Sequence, residues 1–393
     1  MNTIERMALE GKRALIRVDF NVPLDDGIVD HDFRIRAALP TIRYCLEQGA
    51  SVVLMSHLGR PKGQPVPDDS LLPVAEQLET LLRQDIIFSR DCISDRSLEV
   101  SGGLKPGQVH LLENLRFHAG EEANDDQFAA RLAGHGEAYV NDAFGTAHRA
   151  HASNVGVVAH FDQAGIGRLM AKELEFLKDK LENPRRPFVV ILGGAKISGK
   201  LELVRSLLER ADKLLIGGGM AFTFLKAQGH KVGRSLVDEA LLPEAGEILR
   251  LAQESEIPLL LPRDVAAADS ISPNATWRVT SLEELQEDEI GVDIGPETCA
   301  EFSQALQDAA TILWNGPMGV FEFPPFQTGT ELIIDTITHA TAAGAVSVVG
   351  GGDSAAAIDK LSNPRQFSHI STGGGASLEL LCGKTLPALQ ALS

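Results

Sequence analysis

Residues 187–196 read Pro187-Phe188-Val189-Val190-Ile191-Leu192-Gly193-Gly194-Ala195-Lys196. An apolar, β-branched run that stops abruptly in glycine is the pattern of a strand buried on both faces and turning sharply at its C-terminal end. The pattern recurs at Gly217-Gly218-Gly219, at Gly350-Gly351-Gly352-Asp353 and at Gly373-Gly374-Gly375, each followed by a helix-compatible stretch. One such cluster reads as a tight strand-to-helix turn, where glycine tolerates unusual φ and close packing. Four at the same point of a repeated strand-turn-helix unit say more. In a parallel sheet they share the C-terminal edge, where backbone N–H groups and helix N-termini form a cleft for anions and nucleotides.

Outward from this stretch, short apolar runs alternate with longer amphipathic ones. Candidate strands are residues 14–19, 51–56, 109–113 and 138–142 in the first half, and 187–192, 213–217, 257–261, 311–314 and 345–350 in the second. Between the halves, Met170, Leu174, Leu177 and Leu181 make one apolar stripe on a helix, which ends at Asn183-Pro184-Arg185-Arg186-Pro187 because proline disfavours helix in the residue before it. The expected fold is α/β: two similar-sized doubly wound domains, residues 1–169 and 185–383, each a parallel sheet flanked by helices, joined by a helix over 170–184.

The first half ends its strands in polar side chains instead of glycine: Asp19-Phe20-Asn21, Ser56-His57-Leu58-Gly59-Arg60, Glu113-Asn114-Leu115-Arg116 and Asn141-Asp142, with Thr146-Ala147-His148-Arg149 close behind. Arg34, Arg60, Arg116 and Arg149 suit a compact site for a small phosphate- or carboxylate-bearing molecule, since guanidinium grips both in a bidentate way. His57, beside Arg60 at the end of an apolar strand, reads as an anion contact more than as a core histidine.

Composition excludes several partner classes. With 36 Lys and Arg against 54 Asp and Glu in 393 residues, the net charge of −18 argues against nucleic-acid or anionic-membrane partners. Four scattered cysteines without a C-x-x-C pair read as single buried thiols in a reducing compartment. The first residues carry no apolar signal region, and no run approaches the ~18 apolar residues of a membrane span. A cytoplasmic protein is expected.

Several motifs are weighed and set aside. Gly194-Ala195-Lys196-Ile197-Ser198-Gly199-Lys200-Leu201 nearly matches a P-loop, but Leu201 lacks the hydroxyl that would hold a metal. Lys196 and Lys200, four apart, are expected on one face of a helix start, where two ammonium groups reach polyphosphate, or else as plain surface lysines. Asp353 reads as the N-cap of the following helix and as a Mg²⁺ ligand beside bound phosphates. His148 and His151 form an H-x-x-H pair without a second pair at zinc-ligand spacing. No G-x-S-x-G elbow or glycosidase carboxylate pair is present. An arginine-rich site in one domain and a glycine-rich one in the other point to phosphoryl transfer, which relies on positioning and charge neutralisation. A non-catalytic anion sensor of the same fold and a P-loop-like ATPase are the alternatives.

The segments 17–23, 55–61, 113–118, 141–149, 193–200, Trp314-Asn315-Gly316-Pro317-Met318-Gly319-Val320-Phe321-Glu322, 350–354 and Ser371-Thr372-Gly373-Gly374-Gly375-Ala376-Ser377 together resemble phosphoglycerate kinase, in order, from about Lys12 to Ser393. The resemblance implies reversible transfer of the 1-phosphoryl group of 1,3-bisphosphoglycerate to Mg-ADP, giving 3-phosphoglycerate and ATP, in a glycolytic monomer that closes about its interdomain helix. It implies that Asp19, Phe20, Asn21, Arg34, His57, Leu58, Gly59, Arg60, Arg116 and Arg149 hold the phosphoglycerate. Arg34, Lys196, Gly373 and Gly374 would act on the migrating phosphoryl. Lys200, Gly217, Gly218, Pro317, Glu322, Gly351, Gly352, Asp353 and Ser354 would hold the nucleotide, with Asp353 on Mg²⁺ and Glu322 on the ribose hydroxyls. The family's C-terminal segment, here residues 384–393, would return to the first domain. Arg263 and Ala152 depart from the family's commoner residues, at positions without an implied role.

Overall fold

The computed structural model describes all 393 residues. The chain divides into two compact units, Met1–Glu175 together with Lys384–Ser393, and Phe176–Gly383.

The first unit is built on six parallel strands: β1 (Arg13–Arg17), β2 (Ser51–Met55), β3 (Ile86–Ser89), β4 (Val109–Leu112), β5 (Ala138–Asn141) and β6 (Ala164–Ile166), in the order β3-β4-β2-β1-β5-β6. Every residue of β2, β4 and β5 is buried, as a parallel sheet covered by helices on both faces requires. One face packs Ile16, Val52, Leu54 and Val140 against Ile35, Leu39 and Ile42 of the helix Phe33–Glu47. Each such fully buried aliphatic side chain stabilises the fold by about 1.5–3 kcal/mol before entropy is counted. The chain leaves β1 toward β2, then returns from β4 to β5 on the other side of β1. Strand order therefore reverses between β1 and β5, and the loops after them diverge to open a crevice at their C-terminal ends.

The second unit repeats the plan with β7 (Phe188–Leu192), β8 (Lys213–Ile216) and β9 (Leu259–Leu260), followed after an insertion by β13 (Thr311–Asn315), β14 (Val346–Gly350) and β15 (His369–Ile370), in the order β9-β8-β7-β13-β14-β15. Here the reversal falls between β7 and β13. The insertion is a small antiparallel sheet, β10 (Asp264–Ala268), β11 (Trp277–Ser281) and β12 (Ile290–Ile294), with β10 in the middle. Asp264 ties it to the next helix by accepting the Glu297 and Thr298 N–H groups and the Thr298 hydroxyl.

The α/β reading holds, with differences in detail. The short edge strands β3, β6 and β15 and the antiparallel insertion lack a strong local signal. Val265-Ala266-Ala267-Ala268 is no better a strand than a helix by propensity, and only its two partners hold it extended. The run expected at 257–261 forms just two strand residues. The stripe Met170–Leu181 lies in a continuous helical run whose middle, Glu175–Asp179, is a π turn, and the two units meet in sequence at Glu175 and Phe176 within it. At the other end of the chain, Leu386 and Ala388 are fully buried, and Ala388 N–H donates to Ala147 C=O (3.1 Å).

Candidate functional site

In the first unit, the loops after β1, β2, β4 and β5 are knitted at the crevice by side chains that the strands end on. Asn21 Oδ1 accepts the Gly59 N–H (2.9 Å), and Asn21 C=O accepts Arg34 Nη1 (2.9 Å). Arg34 also pairs with Asp19 (3.3 Å). Arg116 Nη1 donates to Gly59 C=O (2.7 Å), while Asn114 donates to Leu58 C=O and Asp69 C=O and accepts the Arg116 N–H. Phe20 is buried, with its N–H on Ser56 Oγ (2.8 Å).

His57 sits at the centre, 4% exposed. Burial above all, then the charges of Arg17, Arg116, Arg34 and Arg149, hold its pKa well below the ordinary 6.5, so the ring is neutral at physiological pH. Burial and Arg149 also pull Arg116 down. Four guanidinium groups thus converge on one point; Asp19 pairs with Arg34 and Glu122 with Arg116 (3.4 Å), and the positive charge left over is what a small multivalent anion would neutralise. Asp19, Asn21, Arg34, His57, Gly59, Arg116 and Arg149 fall in this cluster. Arg60, next to Gly59 in the chain, is exposed.

The second unit offers backbone where the first offers guanidinium. Gly193 and Gly218 follow β7 and β8 and touch the β13 loop directly: a Cβ on Gly193 would lie 2.2 Å from Pro317 C=O, and Gly218 has φ +63°. Gly194 N–H donates to Pro317 C=O (2.7 Å), and Gly218 N–H to Met318 C=O (3.1 Å). Only glycine permits these approaches. Beside them opens a cavity of about 410 Å³, a size that suits a nucleoside. Of the residues expected around the nucleotide, Gly218, Pro317, Glu322 and Asp353 line it, whereas Gly217, Lys200, Gly351, Gly352 and Ser354 lie outside its lining. Its apolar walls, Phe222, Ile271, Val292 and Met318, were not foreseen, because two of them come from around the antiparallel insertion.

Three helices begin at this edge without a side-chain cap: Leu201–Leu208, Gly352–Leu361 and Gly374–Leu381. Uncapped N–H groups and the positive ends of helix dipoles favour phosphate. Ser371 Oγ accepts the Gly373 N–H (3.1 Å) and meets Ser377 Oγ at 2.8 Å, which fixes the last turn.

Two local expectations need correction. Lys196 and Lys200 do not share a helix face: residues 193–200 form a loop and the helix starts at Leu201, since Gly193, Gly194 and Gly199 oppose helix in this segment. Lys196 is exposed, whereas Lys200 turns inward and donates to Gly193 C=O (2.6 Å). Burial lowers the Lys200 pKa to about 8, with the Asp353 charge opposing. Asp353 is not the N-cap; Gly351, at φ +91°, is, and Asp353 stands exposed in the first turn. Ser354 is buried with its hydroxyl on the Gly316 N–H (2.7 Å), so it shapes the β13 loop. Arg263 pairs on the surface with Glu301 (2.9 Å), away from the cavity lining.

A single exposed carboxylate suits Mg²⁺ that keeps most of its waters and takes its other ligands from phosphate. No cluster of three or more His, Cys, Asp or Glu side chains is arranged to hold a metal by itself.

A sequence model of the family described as phosphoglycerate kinase matches residues 4–384. A phosphoglycerate kinase from Rippkaea orientalis is 52% identical over 382 residues, covering 97% of this chain and 96% of the relative. Among solved structures, phosphoglycerate kinase from Coxiella burnetii superimposes with a TM-score of 0.87 at 41% identity, and that from Pyrococcus horikoshii with 0.88 at 34%. Each comparison covers 100% of this chain and 98% of the other.

Proposed function

The chain belongs to the phosphoglycerate kinase family, a phosphotransferase with a carboxyl acceptor acting in glycolysis, and from this premise we propose how its residues divide the work. The first unit binds 3-phosphoglycerate or 1,3-bisphosphoglycerate at the Arg34, Arg116 and Arg149 cluster, with Asp19, Asn21 and the neutral His57 directing its hydroxyl and carboxyl ends. Arg60 meets the ligand from the rim. The second unit binds ADP or ATP, its base between Gly217–Gly218 and Pro317 and its ribose near Glu322. The phosphates lie at Lys200, Gly351–Gly352 and the helix start beside Ser354. Asp353 would hold Mg²⁺, which when bound neutralises and orients the nucleotide phosphates.

The acceptor carboxylate is already an anion, so no general base is required; what must be overcome is repulsion between two anions. Arg34 and Lys196 supply positive charge toward the migrating group, and the N-terminus at Gly373–Gly374 supplies aligned N–H donors. Such donors in a water-poor site lower the barrier by several kcal/mol, on the order of 3 for each well-placed one. Transfer further requires the two substrates to meet with water kept out, and the helical run 168–182, with its π turn, is the proposed hinge for that closure. The protein acts as a cytoplasmic monomer in this reading.

One observation supports it: in each unit the arginines, or the glycine turns and helix starts, follow the strands beside the strand-order reversal of its own sheet. The test is an assay with 3-phosphoglycerate and Mg-ATP, coupled to consumption of the acyl phosphate. Well-folded protein without turnover would refute the proposal.

A further inference from the structure

We propose that Arg17 is a positioning residue that locks His57 in one tautomer, neutral and with its single proton on Nε2, and that Glu121 and Ser153 hold Arg17 in place to do so. The inference rests on the reading that His57 faces the phosphoglycerate.

Arg17 ends β1 and is 1% exposed. Its Nη2 lies 3.2 Å from His57 Nδ1. A guanidinium has donors only, so Nδ1 must accept, and the neutral ring then carries its proton on Nε2. Nε2 is also the ring nitrogen that makes no bond within the protein. The competing arrangement is an imidazolium pointing Nδ1–H at Asp19 Oδ1. That distance is 3.9 Å, too long for a hydrogen bond, and Asp19 is already engaged by Arg34 and by the Asn21 N–H. The charged groups facing the ring are Arg17 and Asp19 from the β1 end, Arg34 from the helix Phe33–Glu47, Arg116 after β4 and Arg149 after β5. A second proton on His57 would add to an existing surplus of positive charge.

Arg17 is itself anchored. Its Nε donates to Ser153 Oγ (2.8 Å), and Ser153 Oγ donates to Glu121 Oε1 (2.6 Å). The Ser153 N–H takes Glu121 Oε2 (2.9 Å), and Tyr139 Oη holds Ser153 C=O (2.8 Å). Glu121 is fully buried. A buried carboxylate thus balances a buried guanidinium through one hydroxyl, with every donor direction determined. The consequence is a division of labour: the arginines supply charge, while His57 supplies one directed, uncharged donor whose state does not change over the working pH range.

Two-bond ¹H–¹⁵N spectra of the full chain carrying ¹⁵N-histidine read the tautomer directly, with His57 identified by its loss in His57→Gln. The expected wild-type pattern is neutral Nε2–H from pH 5.5 to 8. In Arg17→Gln the amide oxygen can accept from Nδ1–H, so the ring should show Nδ1–H as well as Nε2–H; its pKa should rise yet stay below the ordinary value, because burial and three arginines remain. Relative to wild type, KM for 3-phosphoglycerate should then be raised about threefold or more throughout pH 6 to 8 while the kcat ratio stays flat. Arg17→Lys, still a donor without an acceptor, should keep the wild-type pattern. An imidazolium or Nδ1–H ring in the wild type overturns the lock without any variant, and so does a folded Arg17→Gln with an unchanged pattern. Added 3-phosphoglycerate should move the His57 Nε2 signal. An unmoved signal on an Nε2–H ring would refute the site reading and leave the tautomer assignment standing.

Discussion

Lys200 and Arg34 show what single residues contribute. Lys200 loses its proton near pH 8 in the free protein because burial outweighs the help from Asp353. Polyphosphate needs the ammonium form, so binding takes up no proton well below pH 8 and one proton well above it. The Kd for Mg-ADP should therefore rise above pH 8 by up to about tenfold per pH unit, and Lys200→Met should remove that slope. Calorimetry in buffers of different ionisation heat would read the proton uptake. Arg34→Ala should lower kcat by about 100-fold, since it removes charge at the reacting end and frees Asp19, while Mg-ADP affinity changes less than twofold. Steady-state kinetics beside nucleotide titration separates the two. At this scale the charged contacts were legible, because arginine at a strand end has few uses other than anions. Arg17, Ser153 and Glu121 were not, because a buried side chain's partners lie far away in sequence: Arg17 and Ser153 are 136 positions apart.

Elements carry a different kind of dependence. His110 on β4 and His135 after the helix Asp126–Ala133 share Ser101 Oγ, at 2.9 and 2.6 Å, deep beneath the helix Asp95–Gly102. His135 Nε2 donates to Cys92 C=O, so its Nδ1 accepts from Ser101, whose oxygen accepts from His110 Nδ1; Ser89 then donates to His110 Nε2. Both rings are neutral, with pKa values lowered to about 4, chiefly by burial. The unfolded chain binds protons near 6.5 and the folded chain only near 4. Stability should therefore fall as pH drops from about 6.5 to about 4 and level off below, by up to about 3 kcal/mol for each histidine. Urea unfolding at stepped pH would measure this slope, to which the buried His57 and His151 add with the same sign, and His135→Gln should reduce it by one histidine's share. The strand-glycine-helix rhythm was readable from the chain because a parallel strand buried on both faces must be continuously apolar. The start of the helix after β14 was misplaced at Asp353, because Asp is a good cap anywhere, whereas the left-handed backbone at Gly351 that sets the start is a property of the loop it closes.

For the whole molecule, the last ten residues belong to the first unit although almost the entire second unit separates them from it in sequence. Leu386 and Ala388 are buried, and Ala388 is bonded to Ala147, two residues before Arg149. Removing residues 384–393 should lower the thermal midpoint of the first unit by several degrees and weaken 3-phosphoglycerate at least tenfold, while Mg-ADP binding to the second unit changes little. Calorimetry with each ligand would show the asymmetry. The net charge of −18 describes the outer surface, and the proposed anion affinity would arise from a few cations and N–H groups that follow the strands at two strand-order reversals. By itself the sequence determined the α/β class, the polar and glycine-rich strand ends and the family, because each is written in contiguous residues whose periodicity and chemistry are local. Only the tertiary structure decided that Lys200 turns inward while Lys196 faces solvent, that an antiparallel insertion walls the cavity, that burial and then four guanidinium groups keep one histidine neutral, and which buried partners orient Arg17. Burial, desolvation and hydrogen-bond direction depend on neighbours the chain brings together from distant positions, and no local pattern encodes them.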